Sequence, residues 1–407
     1  MKLKFLLLIS LILFLQPSAN AASIIEVKSK LDLSYSGNDE VSDLLLTKNS
    51  ISLIGTTEAA TSTWISGTLG GNSDGFISTF SNTGAPLWNL RLGSTSNEIA
   101  TSAALDIDNS IWVTGSSSIT TTATPSPTPT KVLNPDNVEI APSAPIAAPL
   151  SKLNLWQISS SGQLLNSFET QTAGVIQPQR VLTTPNGLAI FGNIYEKSTV
   201  KGFFTTVSKS GAFTPLIKYG VKQTQFISAI LNSDGSFTVV GKSTDLLLKV
   251  KPLSKGDAIT LKISAKGLLQ QVARATLKNT TRSWESISTG LLQGGLVKYS
   301  NKSEAAITKF SALGKPVWND RFSATTAALV VASTNFWATF VSTGAISGIP
   351  TWKPKTPTAV VLELGKKGEV ISASSMTGIP VAISRNNEIG TVVITDSGTS
   401  FGIVLIN

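Results

Sequence analysis

The chain of 407 residues contains no cysteine and no histidine. Without cysteine there is no disulfide, no thiolate nucleophile, no zinc finger and no lipidated N-terminal cysteine. Without histidine there is no Ser-His-Asp or Cys-His catalysis, no His-ligated metal and no imidazole pH switch. Charge is scarce as well, at 14% of residues against 41% hydrophobic. That balance belongs to a folded chain rather than a disordered one. The net charge is +9, but basic residues such as Lys242, Lys249, Lys251 and Lys255 are scattered singly. No basic stripe of the kind that binds nucleic acid is present.

Long apolar runs are also missing, with one short exception. Lys2 and Lys4 precede an apolar run from Phe5 to Leu15, and Ala19-Asn20-Ala21 follows as a small-x-small site. The run is shorter than the ~20 residues a spanning helix requires. This is the pattern of a Sec-type signal peptide over residues 1–21, cleaved after Ala21. The expectation is an exported chain, secreted or envelope-associated, with residues 22–407 as one domain and a net charge of +7. No later transmembrane segment is expected, and the chain is expected to be a monomer.

What is present is a repeat. A short alternating strand ending in a glycine turn recurs as FISTFSNTG (76–84), NLWQISSSG (154–162), FFTTVSKSG (203–211), ITLKISAKG (259–267), AITKFSALG (306–314) and VVLELGKKG (360–368). Glycine there supplies the positive φ of a tight hairpin turn. The spacings between these glycines are 78, 49, 56, 47 and 54. Residues 117–150, rich in Ser, Thr, Pro and Ala, are an insertion without a fold of their own. Removing them leaves a period of about 50, that of a four-stranded propeller blade. Apolar strands ISLIG (51–55), IWVTG (111–115), LAIFG (188–192) and FTVVG (237–241) complete the units.

The two ends are complementary. Residues 28–58 read as second, third and fourth strands, and FGIVLIN (401–407) reads as a first strand alone. Joined, they make one more blade, pairing the terminal edges and removing an exposed sheet edge. The units are 28–58 with 399–407, then 74–118, 151–195, 200–243, 257–300, 304–343 and 358–397. The expected fold is all-β: a single seven-bladed propeller of four-stranded antiparallel blades, closed by its terminal strands.

The stretch 74–117 resembles the bacterial β-propeller repeat of the SBBP type at Asp74, Phe76, Gly84, Trp88, Gly93, Asp106, Asn109, Val113, Thr114 and Gly115. Its Gly-x-x-x-Trp step returns at Gly314 and Trp318, and is similar to that of quinoprotein-like and WD40-like propellers. Asn166, Pro215, Gln271 and Ser372 stand at the Trp position of the other units. The resemblance implies the fold and says little about activity.

Candidate binding residues fall in two groups. Trp64 and Trp352 sit in long connections, and Trp284 near the start of a strand. Exposed on loops, such rings suit sugar or peptide contact; turned inward, they plug their own loops. Glu40, Glu98, Gln177, Gln225 and Glu285 recur just before the third strand of five of the units. They form either a polar ring on one face or hydrogen-bonded staples between blades. Arg91 and Arg321, three residues after Trp88 and Trp318, are expected to be ion partners in blade packing. Asp106-Ile107-Asp108-Asn109 and Asn72-Ser73-Asp74-Gly75 resemble calcium loops but lack the later bidentate Glu, so they read as turns. No metal or cofactor is expected.

The long connections 56–73, 117–150, 242–257 and 344–357 are read as joining a fourth strand to the next first strand, which puts them on one face of the disc. The expected function is a non-enzymatic binding module that uses this face to hold a protein or a cell-surface glycan. The alternatives are a carboxylate-dependent polysaccharide-active enzyme and a structural cell-surface component.

Overall fold

A computed structural model describes residues 22–119, 148–254, 256–276 and 278–406. Residues 1–21, where a signal peptide is expected, and most of the insertion (120–147) lie outside the described residues. The chain enters through β1 (Ser23–Ile24) and β2 (Val27–Ser34). Six four-stranded meanders follow. The first is β3 (Asp39–Leu46), β4 (Ser50–Thr57), β5 (Asp74–Ser81) and β6 (Pro86–Leu92). The second is β7 (Glu98–Leu105), β8 (Ile111–Ser118), β9 (Leu150–Ile158) and β10 (Leu164–Gln171). The third is β11 (Val175–Thr184), β12 (Gly187–Glu196), β13 (Thr199–Val207) and β14 (Ile217–Tyr219). The fourth is β15 (Thr224–Leu231), β16 (Phe237–Ser243), β17 (Asp257–Ile263) and β18 (Leu269–Ala275). The fifth is β19 (Thr281–Ser288), β20 (Leu292–Tyr299), β21 (Lys302–Phe310) and β22 (Pro316–Ser323). The sixth is β23 (Leu329–Ala332), β24 (Phe336–Ser342), β25 (Thr358–Leu364) and β26 (Val370–Met376), with β1 added in parallel at its edge.

The seventh sheet closes the ring. β27 (Ile379–Asn386), β28 (Gly390–Asp396) and β29 (Ser400–Ile406) take β2 from the far end of the chain as their fourth strand. The first strands β3, β7, β11, β15, β19, β23 and β27 touch one another in succession around the axis. The chain is thus a seven-bladed β-propeller with its terminal strands paired, as the repeat implies.

The cut between blades differs from the expected one by two strands. The glycine turn joins the third and fourth strands of a blade, not the first and second. A unit such as 74–118 therefore spans half of each of two neighbouring blades. The blade count is unchanged, because moving the cut around a closed ring leaves the number of units the same. The closure also differs: of the N-terminal strands β2, β3 and β4, only β2 joins the seventh sheet, while residues 39–57 begin the first blade.

Apolar side chains pack in seven clusters among the described residues, one in each seam between neighbouring blades. Both faces of each blade are covered, so the middle strands read as near-continuous apolar runs. Every residue of β8 is buried.

The repeated turn glycines have a second role across these seams. Gly162 has φ +86°, and a Cβ there would lie 2.6 Å from the Trp88 ring of the preceding blade. Trp88 Nε1 donates to the Ser160 carbonyl at 3.1 Å. Trp318 repeats the arrangement over Gly368, donating to the Lys366 carbonyl at 3.0 Å. Phe168 lies over Gly211 in the same way, two residues beyond the Trp position of the repeat.

Gly162→Ala thus meets both backbone strain and the indole, whereas Gly235 (φ +76°) has no heavy atom within 4 Å of the place a Cβ would take. Gly235→Ala is expected to cost about 1 kcal/mol from backbone strain alone, and Gly162→Ala about 3 kcal/mol. Urea unfolding of the two variants checks this; equal losses would show that the indole contact carries no weight.

Candidate functional site

The axis is built from the first strands, and six of the seven carry a β-bulge at the same height. The unpaired residues are Ser42, Thr101, Gln179, Ile227, Glu285 and Val381. A bulge turns a side chain out of the pleat. Of the residues that follow the bulges, Asp43, Ser102 and Ser286 reach the next blade. Asp43 accepts from the Ser102 hydroxyl (2.9 Å) and the Ala103 amide (3.0 Å). Ser102 accepts from the Val181 amide at 3.3 Å, and Ser286 from the Val330 amide at 3.0 Å. Arg180, from the third blade, donates to both oxygens of Asp43 in the first at 3.0 Å. The acidic residue of this ring is thereby neutralised by a guanidinium and by backbone amides.

The aromatic residues expected to be exposed on loops are turned inward. Trp64 is 5% exposed, packs edge-on against Phe76 and Phe401, and donates to the Ser34 carbonyl at 2.9 Å. Its loop bends back into the closing seam, where burial of an indole outweighs its exposure. Trp284 is fully buried against Phe310, with Arg282 stacked 4.3 Å above its ring. Trp352 is half-buried and donates to Ser342 Oγ at 3.2 Å. Each plugs its own seam or loop. Nor do the five polar residues form one ring. Glu40, Gln177 and Gln225 share a register, opposite Thr56, Asn193 and Lys242. Glu98 stands one residue earlier, opposite Ser117, and Glu285 is the bulged residue of its strand.

Arg91 and Arg321 do form ion pairs, but within a blade. Arg91 reaches Asp74 at 3.4 Å, Arg274 reaches Asp257 at 3.4 Å, and Arg321 reaches Glu304 at 3.1 Å. The first two pairs are nearly solvent-free, and the same carboxylates accept the amides of Gly70 and Leu253. Each pair therefore ties the loop before the third strand to the fourth. The constant offset of 17 residues is the sequence signal that marks these pairs.

The long loops 58–73, 119–149, 244–256 and 343–357 join second to third strands of the same blade. Alternating strand direction still puts them all on one face, together with the short loops that enter each first strand. On that face, at the second blade, lies a pocket of about 150 Å³. Its walls are almost wholly polar: Glu98, Lys152, Asn154 and Glu169 converge there with Ser94 and Ser117, beside Trp156. Lys152 pairs with Glu169 at 2.7 Å. Glu98 is 4% exposed and accepts from the Ser94 amide at 3.1 Å and from its hydroxyl. Burial raises the Glu98 carboxyl above the ordinary range, opposed by the Ser94 hydrogen bonds. Ser117 and Lys152 flank the insertion, so the pocket lies at its roots. Of these residues only Glu98 is a candidate from the sequence; the rest converge through strand pairing.

No family model matches the chain, and no curated protein matches it. The likeness of residues 74–117 to a bacterial propeller repeat stands on those residues alone. Solved structures share the fold. Raptor from Chaetomium thermophilum superposes with a TM-score of 0.53 at 8% identity, over 96% of this chain and 29% of that one. The polysaccharide lyase Uly1 gives 0.51 at 10% identity, over 94% of this chain and 100% of that one. BamB from Moraxella catarrhalis gives 0.41 at 9% identity, over 94% and 100%. At these identities the likeness is one of fold.

Arg180→Ala is expected to cost about 2 kcal/mol, and Asp43→Ala more, because it also orphans the buried Ala103 amide. The reverse order in urea unfolding would remove Asp43 from its bridging role. Glu98, with its folded-state pKa raised, favours folding below the ordinary carboxylate range and loses that contribution as pH climbs through the raised value. Glu98→Gln should flatten this decline in a pH series of unfolding midpoints; an unchanged slope would show that Glu98 is not its source.

Proposed function

We infer that this protein is an exported, non-enzymatic binding module whose long-loop face holds a cell-envelope glycan, with the pocket of the second blade taking one sugar unit. The observation that carries this reading is the convergence of Glu98, Lys152, Asn154 and Glu169 beside an indole on the face that gathers the long loops. Such groups hydrogen-bond a polyol from several sides. The pocket is smaller than the ~300 Å³ of drug-sized sites, which suits a terminal unit rather than a buried chain. A rigid ring with variable loops suits recognition.

A carboxylate-dependent enzyme acting on the same class of polymer is the second reading. The polysaccharide lyase Uly1 has this fold, but a fold hosts many functions. The bridging carboxylate near the axis, Asp43, is committed to Arg180 and Ala103. The described residues contain no helix long and apolar enough to cross a membrane.

The test is a thermal-shift and calorimetric screen of residues 22–407 against envelope polysaccharides. A hit is expected to raise the melting temperature by mass action. Lys152→Ala and Glu98→Gln should each weaken binding about tenfold or more. Binding that survives both substitutions would move the site elsewhere, and release of new chain ends from the polymer would make the protein an enzyme. Export predicts a mature chain beginning at Ala22, whose nitrogen faces the Gly348 carbonyl at 3.4 Å.

A further inference from the structure

The loop 244–256 of the fourth blade is built unlike its counterpart in the sixth. Both leave the second strand through Ser-Thr and make a two-residue turn closed by an amide-to-carbonyl bond, Val250 to Leu247 at 2.8 Å and Ile349 to Ile346 at 3.1 Å. In the sixth blade the turn residues are Ser347 and Gly348, and the glycine takes the positive φ of +88°. In the fourth they are Leu248 and Lys249, both left-handed at φ +44° and +64°. A turn with two left-handed residues ordinarily uses Asn and Gly. A leucine there is strained, and the sixth blade shows that the fold does not demand it.

The strain presents apolar side chains to solvent. Leu246 is 56% exposed, Leu248 49% and Leu253 75%, and Val221 of the adjoining loop is 66% exposed. In the sixth blade the residue matching Leu253 is Trp352, folded back into the core side of its loop. Lys249 and Lys251 alternate with the apolar residues and are exposed. The acid of the loop, Asp245, is buried and accepts the amides of Val221, Lys222 and Gln223 at 2.9–3.1 Å. Arg274 clamps the carbonyls of Asp245 and Val250. The two apolar tips are thus locked together, exposed, cationic and two blades away from the polar pocket.

We propose that this tip docks on a lipid bilayer bearing anionic headgroups. Exposed leucines on a hydrogen-bonded turn enter the headgroup–acyl boundary, while interleaved lysines meet lipid phosphates. A glycan would be served by polar groups rather than by these exposed leucines, and the lysines with no exposed acid beside them in the loop match an anionic surface. Docking would hold the long-loop face toward the envelope surface, independently of what the second-blade pocket binds.

The experiment is co-sedimentation of residues 22–407 with vesicles of phosphatidylglycerol and phosphatidylcholine, and with phosphatidylcholine alone. Binding is expected to the anionic vesicles, weakened by salt and at least about tenfold lower on the neutral ones. Leu248→Gly combined with Leu253→Ser should lower binding about tenfold or more, while Leu248→Gly alone raises the melting temperature by relieving the turn. Lys249→Glu with Lys251→Glu should lower anionic-vesicle binding by about tenfold or more. Absence of anionic-vesicle binding by the folded wild type, or binding untouched by both double variants, overturns the proposal. Lys152→Ala should leave vesicle binding unchanged; its loss there would transfer the lipid contact to the pocket and likewise overturn the loop assignment.

Discussion

Every blade of this protein needs a neighbour on both sides, and that requirement organises the rest. The apolar clusters lie in the seams rather than within any one sheet. A single blade would expose both of its apolar faces. An open row of seven would still expose two, along with two unpaired edges. The pairing of β2 with β29 removes this remaining exposed surface by forming the closing seam, in which Leu33, Phe401, Phe76 and Trp64 meet. With no disulfide available, this noncovalent latch is what joins the two ends of the chain. Its strength comes from the aromatic contacts of Trp64 with Phe76 and Phe401 and from ladder hydrogen bonds, both of which require the whole ring to be in place.

The repeat is legible in the sequence because a glycine turn is a local event. Gly84, Gly162, Gly211, Gly267, Gly314 and Gly368 mark it, and all have positive φ in the structure. Sheet membership is not local. Nothing in residues 74–118 announces that β6 ends one blade and β7 begins the next, since both neighbouring connections are short and polar. The ends give the count because a closed ring has the same number of units wherever it is cut. The long loops stay on one face for a similar reason: a shift of two strands restores strand direction.

The site is legible only in part, for a related physical reason. A place in a loop suggests exposure for Trp64 and Trp352, but an indole beside an open seam gains more by filling it. Glu98 stands out as one acid in a series. Lys152, Asn154 and Trp156 carry no mark as its partners, because antiparallel pairing of β8 with β9 across the insertion is what sets them beside it. Asp43 and Arg180 are 137 residues apart and meet only because bulges in the first and third blades point both toward the axis. Contacts of that kind carry no signature in one sequence.

A repeat protein supplies its own controls. Where several blades solve one structural problem alike, as with the buried Asp74–Arg91 and Asp257–Arg274 pairs, the shared solution is architecture. Where one blade departs from a sibling that shows an unstrained alternative, the departure needs another cause. Ser347-Gly348 closes its turn with a glycine at the left-handed position; Leu248-Lys249 closes the equivalent turn with two residues that resist that conformation and exposes leucine as a result. Likewise the second blade carries the longest of these second-to-third-strand connections, and the polar pocket opens at its roots. Comparison between blades thus separates the residues that hold the ring from those that use it, and it points to two different blades on the same face.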